Sequence, residues 1–385
     1  MDGGDVKVQS RYKQTELGEL PAEWEVTSLG KLGSVIRGAS PRPKGDKRFY
    51  GGRIPRLMVE DVTRDRKFVT PRLDFLTEEG AKRSRPCKLG TLTVVCSGTP
   101  NVVGTPSFLA VDACIHDGMM ALVNILPRVV PDYLFHQLCS YQDKLYKSAT
   151  HGGTFVNLTT TGFRAFQVVL PPTVAEQRAI ATALSDVDAL LSGLNRLIAK
   201  KRDLKQAAMQ QLLTGQTRLP GFSGEWGVRR LEDVLSRMAN GAVYKATHSR
   251  GIQITRIETI ADGTIDYSRT GVAEYSTELD RYKVMPGDIL FSHINSVDHI
   301  GKVAIFNGEQ PLYHGMNLLL LRTNTHADCN FIYLWFTSLP TRRLMRNLAK
   351  QAVSQASINT KELKALDIRL PPLPEQTAIA VVLSD

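Results

Sequence analysis

At 385 residues the chain is long enough for one to three domains, and 42% apolar side chains can supply their cores. A net charge of +10 and a pI near 9.3 favour a polyanionic partner, nucleic acid before membrane surface. No run of about 18 apolar residues and no basic-then-apolar leader argues for a membrane span or a secretory signal.

The first predicted globule opens at "PAEWEVTSLGKL" (Pro21 to Leu32). A Gly/Pro-rich loop follows, in which Arg37, Arg42, Lys44, Lys47 and Arg48 crowd together with Asp46 as the only acid. The apolar, β-branched runs "TLTVVCS" and "MMALVNIL" predict strands, and Pro131 to Ala149 predicts an amphipathic helix. Next comes "LPPTVAEQRAIATALSD" (Leu170 to Asp186). Thr173 and Glu176 have the spacing of a capping box. From Ile180 a heptad places Ile180, Val187 and Leu194 on one seam and Leu190, Leu197 and Leu204 on the other. Leu184, Leu191, Ile198 and Leu212 widen this stripe. A helix from Glu176 to Leu213, stopped by Gly215, would span roughly 57 Å, and its apolar stripe calls for a partner helix. The second predicted globule opens at "SGEWGVRRLEDV" (Ser223 to Val234) and carries a basic loop with Lys245, His248, Arg250 and Arg256. Strands are predicted at "GDILFSHI", "GKVAIF" and "MNLLLLR", and a helix over Phe331 to Lys350. The chain closes on "LPPLPEQTAIAVVLSD" (Leu370 to Asp385), with Pro374 suited to a first helical turn.

These elements are one series written twice. "PAEWEVTSLGKL" pairs with "SGEWGVRRLEDV", "CKLGTLTVVCSG" with "VMPGDILFSHIN", "IHDGMMALV" with "LYHGMNLLLL", and the LPP segments with each other. The four pairs keep their order at offsets of 197 to 202 residues. That period is too long for a solenoid and implies two homologous α+β domains, each followed by a helix. The second copy of that helix barely begins before Asp385, so most of the partner helix is expected from a longer gene product or another polypeptide. Expected boundaries are 1–170 and 217–368 for the globules, 171–216 for the central helix, and 369–385 for the start of the second. The loops at 36–63 and 238–263 have no mutual likeness, which suggests one scaffold presenting two specificities.

The five cysteines, Cys87, Cys96, Cys114, Cys139 and Cys329, show no disulfide or zinc spacing, and a reducing cytoplasm suits them. Pro86-Cys87 matches the nucleophile dipeptide of cytosine methylation, yet nothing around it looks like a catalytic domain, which favours a plain thiol. Neither an amino-methyltransferase Asn/Asp-Pro-Pro-Tyr/Phe, a G-x-G-x-x-G after a strand, nor a Walker loop is present. No catalytic and no metal-binding residues are therefore assigned.

The two-fold repeat, the "LPP…EQ-x-AI" helix openings and the Pro21-to-Trp24 P-x-E-W motif resemble the specificity subunit of type I restriction–modification systems. The resemblance covers nearly the whole chain. It implies two target-recognition domains in a pseudo-twofold repeat, separated by long coiled-coil-like helices and reading a bipartite site on double-stranded DNA. It also implies methyltransferase subunits docked on the frame, which methylate adenine with S-adenosylmethionine, and a restriction subunit that can join them. On this reading the chain itself is non-catalytic and holds no cofactor. The alternatives are a helical adaptor protein and a self-sufficient DNA-modifying enzyme. The departure is the short C-terminus.

Loop polar groups are the natural base and phosphate contacts. In the first repeat the candidates are Arg37, Ser40, Arg42, Lys44, Asn101, His151 and Thr154. In the second they are Tyr244, Lys245, His248, Arg250, His293, Asn295, His299 and Gln355. His116 and His314 are read as structural, and Trp24 and Trp226 as core anchors.

Overall fold

The computed structural model describes residues 11–152, 155–247, 251–296, 299–351 and 356–384. The chain divides into two compact units, Met1–Gly193 and Leu194–Asp385, and the division falls inside one continuous helix, Val174–Leu213.

In the first unit the central sheet has five strands in the order Ser34–Arg37, Met119–Val123, Leu92–Val95, Pro106–Leu109 and Phe68–Val69. Successive strand side chains alternate between faces, and here both faces are covered. Leu92, Val94, Met120 and Leu122 pack with Leu134, Leu138 and Phe163 of the helices, while Val95, Met119 and Ala121 pack with Leu57 and Ile115 of a second sheet. That explains why the run "MMALV" is apolar without alternation. The second sheet orders Asp74–Leu76, Tyr50–Leu57, Ala113–Ile115 and Pro86–Cys87. Burial pushes the Cys87 thiol up to about 11, so at neutral pH it is protonated and no nucleophile.

The second unit repeats the central sheet as Leu235–Asn240, Leu319–Thr323, Ile289–Phe291 and Val303–Ile305. Ile289, Phe291, Leu319 and Leu321 face one core, and Leu290, Leu320 and Ala304 face the other. Register refines the repeat. Leu122 pairs with Leu92 as Leu321 pairs with Ile289. Offsets there are therefore 199 and 197, so the Gly-Met dipeptides 197 residues apart are not equivalent. The two extra residues are absorbed earlier, because Cys114 pairs with Arg56 as Tyr313 bridges Ile254, and Cys114 and Tyr313 are already 199 residues apart. A bulge between Leu235 and Arg237 adds one more residue to the neighbouring strand.

The helices predicted over Pro131 to Ala149 and Phe331 to Lys350 are each two helices. The first breaks at Tyr141 between Pro131–Ser140 and Gln142–Lys147. The second breaks at Ser338 between Cys329–Thr337 and Leu339–Leu348, where Pro340 cannot continue the preceding turn and Ser338 caps the next helix. The long helix starts as expected, with Thr173 Oγ1 accepting the Glu176 amide at 3.1 Å. The Glu176 carboxylate does not complete the capping box; it accepts the Trp24 indole N–H at 3.1 Å. At the far end Gly215 takes a φ of +71°, a helix stop.

The motif glutamines explain why "EQ" occurs twice. Gln177 is 1% exposed and accepts Val130 N–H at 2.9 Å while donating to Arg128 O and Pro171 O. Gln376 is fully buried and makes the same three bonds, to Asp328 N–H, His326 O and Pro371 O. In each unit one amide therefore ties the LPP helix to the loop that starts a core helix. The neighbouring glutamates differ: Glu375 is buried under Arg218, whose guanidinium meets it at 2.5 and 2.6 Å.

Among the described residues no helix is long and apolar enough to cross a membrane.

Candidate DNA interface

Both basic loops leave their sheets through the same device. Gly38 follows the strand Ser34–Arg37 so closely against the next segment that a Cβ there would lie 2.0 Å from His116 O. Gly241 follows Leu235–Asn240 with a Cβ position 2.0 Å from Gly315 O. Only glycine fits such crossings, so the loops start from equivalent points although their sequences are unrelated.

In the first unit the loop is held by a chain of polar contacts. Arg56, 3% exposed, pairs with Asp74, stacks over Tyr50 and donates to Ser40 Oγ at 3.0 Å. Ser40 in turn donates to Asp117 Oδ1 at 2.9 Å. His116 Nδ1 accepts the Gly118 amide at 2.9 Å, which leaves the proton on Nε2, 2.8 Å from the same Oδ1. Burial lowers the His116 pKa, so this imidazole is neutral at pH 7. Partial burial raises the Asp117 pKa, but Ser40, His116 and Arg42 outweigh it and hold the carboxyl below its ordinary value. The sequence offered no sign of Asp117, Arg56 or Asp74 as site residues, because only the topology brings positions 40, 56, 74 and 117 together.

The predicted contacts fall into three groups. Arg42, with a side chain 74% exposed and Asp117 at a loose 3.7 Å, projects from the first loop with Lys44. Asn101 is exposed, and Lys245 is 87% exposed, 3.8 Å from Glu274. Other candidates are committed to the protein. Arg37 donates to Asp117 O and Asn157 Oδ1, and Ser40 belongs to the chain described above. Tyr244 packs on the small cluster of Ala242, Ile254 and Tyr313. Asn295 is tied to Ser292 Oγ and the Ser296 amide, and His299 Nδ1 lies 3.0 Å from Lys302 Nζ. His293 lies in the connection between the strands Ile289–Phe291 and Ile294–Asn295 but is 6% exposed there, and burial lowers its pKa. Its backbone carbonyl accepts Ile358 N–H as that of Cys96 accepts Leu158 N–H. Thr154, His248, Arg250 and Gln355 lie outside the described residues. His151 sits in the strand Thr150–Gly152, paired with Val156.

His314 is a core residue as expected, fully buried with Nε2 3.1 Å from Leu318 O. Trp24 is half-buried at its unit's opening, and Trp226 packs edge-on against Phe331 at 6.2 Å.

The long helix presents a different surface. Leu184, Val187, Leu190, Leu191, Leu194, Leu197, Ile198 and Leu204 are 44–62% exposed. Ile180 and Leu212, expected on the same stripe, instead pack into the cores at either end of the helix.

A family model for the type I restriction modification DNA specificity domain matches residues 21–201 and again residues 223–385. The chain belongs to this family. The EcoKI specificity subunit of Escherichia coli K12 is 24% identical over 380 residues, 94% of this chain and 82% of that protein. A Methanocaldococcus jannaschii protein assigned as the MjaX specificity subunit is 45% identical over 175 residues, but these are 44% of this chain and 41% of that relative. The fold matches the crystal structure of a type I restriction–modification S subunit from M. genitalium with a TM-score of 0.58 at 14% identity, over 98% of this chain and 91% of that one. Two tandem specificity domains of mixed helix and strand, joined through the helix 174–213, therefore account for the internal repeat.

Proposed function

We propose that this chain is the sequence-reading subunit of a type I restriction–modification complex. Each unit reads one half of a bipartite site on double-stranded DNA, and the helix Val174–Leu213 sets the spacing. The observation that carries this reading is the matched exit of two unlike basic loops, at Gly38 and Gly241, from one repeated frame. Phosphates are met by projecting cations such as Arg42, Lys44 and Lys245, and bases by the polar groups between them.

The exposed aliphatic stripe supports docking of helical partners. Fully burying one such side chain contributes roughly 1.5–3 kcal/mol, and so large a bare patch is unusual on a lone soluble protein. The partners proposed are methyltransferase subunits, with a restriction subunit joining them. S-adenosylmethionine and adenine methylation belong to the partner, and this chain contributes recognition without catalysis.

The test is an exchange of residues 36–165 for the matching domain of a relative, followed by mapping of methylated sites. One half of the recognised site should change while the other stays. A change in both halves, or in neither, overturns the two-domain reading.

A further inference from the structure

The first loop is basic, yet its residues Ser40 and Arg42 pack around an anion, Asp117. Asp117 Oδ1 is saturated by Ser40 Oγ at 2.9 Å and His116 Nε2 at 2.8 Å. Behind them stand buried Arg56 and its ion-pair partner Asp74, so the carboxylate plane is set by protein groups that are themselves held. Among the described residues the cation near Asp117 Oδ2 is Arg42, at 3.7 Å, and the Asp117 side chain is 40% exposed. One oxygen is therefore spent on orientation, and the other faces outward with unused acceptor capacity.

A carboxylate on a DNA-facing surface is repelled by phosphates. Its presence is favourable where a hydrogen-bond donor meets it, because a charge-assisted bond is about twice as strong as a neutral one. In the major groove cytosine offers only its N4 amino donor. Adenine sets the N7 acceptor beside N6, and guanine and thymine present acceptors. An acceptor-only carboxylate thus suits cytosine and is repelled by the others.

Resting on the DNA-reading function proposed above, we infer that Asp117 Oδ2 is a specificity-determining group that accepts a hydrogen bond from cytosine N4 at one position of the half-site read by the first unit. Ser40 and His116 are positioning residues for it.

The test uses the full chain assembled with its methyltransferase subunits and selects bound sequences from a random duplex DNA pool. Wild type should prefer cytosine at one position by roughly tenfold to a hundredfold. In Asp117→Asn the amide oxygen stays with Ser40 and His116, and an N–H donor replaces Oδ2. The preference at that position should move to guanine or thymine while every other position is unchanged. A merely structural role would not invert one base. An unchanged D117N profile, or affinity lost equally for all sequences, overturns the assignment. If D117N does not fold, Ser40→Ala serves: it removes one of the two orienting bonds and should weaken the cytosine preference without replacing it, and an unchanged preference overturns the proposal. A wild-type complex that selects no sequence would overturn the DNA-reading function itself, an outcome distinct from loss of the Asp117 contact alone.

Discussion

Replacing Gln177 by leucine removes the clamp between the long helix and the first unit. The side chain is 1% exposed, and its loss leaves Val130 N–H, Arg128 O and Pro171 O without their partner. A buried polar group left unpaired costs about 1–3 kcal/mol. Leucine returns part of that through its own burial, so a net loss of roughly 3–5 kcal/mol is expected. The unit spans Met1–Gly193, a size at which 1 kcal/mol shifts Tm by about 2–4 °C. Calorimetry should therefore show one unfolding transition lowered by roughly 10–15 °C. Gln376→Leu should do the same to the other transition, because Gln376 makes the same three bonds. A loss below about 1 kcal/mol in both variants would refute the clamp, since water or a shifted loop would then satisfy the three backbone groups equally well.

Arg42→Ala and Lys245→Ala should each weaken DNA binding by the assembled complex about equally for all sequences and lower the salt slope by about one, as phosphate contacts do; unchanged binding would remove these exposed cations from the interface. Seven residues inserted between Leu194 and Lys201 add roughly 10.5 Å of helix, or about three base pairs, so methylome mapping should show a longer spacer between unchanged half-sites. Burial holds the His314 pKa at about 4 in the folded chain against 6.5 for the free side chain. The unfolded chain binds the extra proton, so stability should fall as pH drops from 6.5 toward 4, by about 3 kcal/mol from this residue. Denaturant titrations at several pH values should show that slope in wild type and a flatter one in His314→Gln.

The sequence made some levels of this structure readable and concealed others. "MMALV" and "LLLL" read as strands because both faces of the central sheets are buried, and the heptad from Ile180 read as a helix because its stripe is continuous. The breaks at Tyr141 and Ser338 escaped notice because the apolar rhythm runs across them; at Ser338 the signal was present in Pro340. The ends of the stripe were misjudged for a related reason. Ile180 and Leu212 have the heptad spacing of their neighbours, but the globules reach them, and spacing does not say where a core stops. His293 reads as a solvent loop group because a polar residue just past an apolar run resembles a loop start. Asp117 had no local signal: its partners Ser40 and Arg37 lie 77 and 80 residues away in sequence.

The distribution of buried polar groups explains how one frame can carry different specificities. The groups common to both units are the expensive ones. Each motif glutamine satisfies three backbone atoms, and each loop exit needs a glycine because a Cβ would stand 2.0 Å from a carbonyl. Changing any of these leaves unpaired atoms or a clash in the interior. The projecting side chains of the loops beyond Gly38 and Gly241 carry no such obligation toward the cores. Arg42, Lys44 and Lys245 project into solvent, where a substitution moves stability by about half a kcal/mol or less. What the first loop needs is its own internal support, the Asp74–Arg56–Ser40–Asp117 chain, and among the described residues of the second unit no such chain occurs; there the strands Ile252–Ile254 and Gly271–Ala273 pair. A loop can thus be replaced together with its own polar supports, while the glutamine clamps and glycine exits keep the same helix and sheet beneath it.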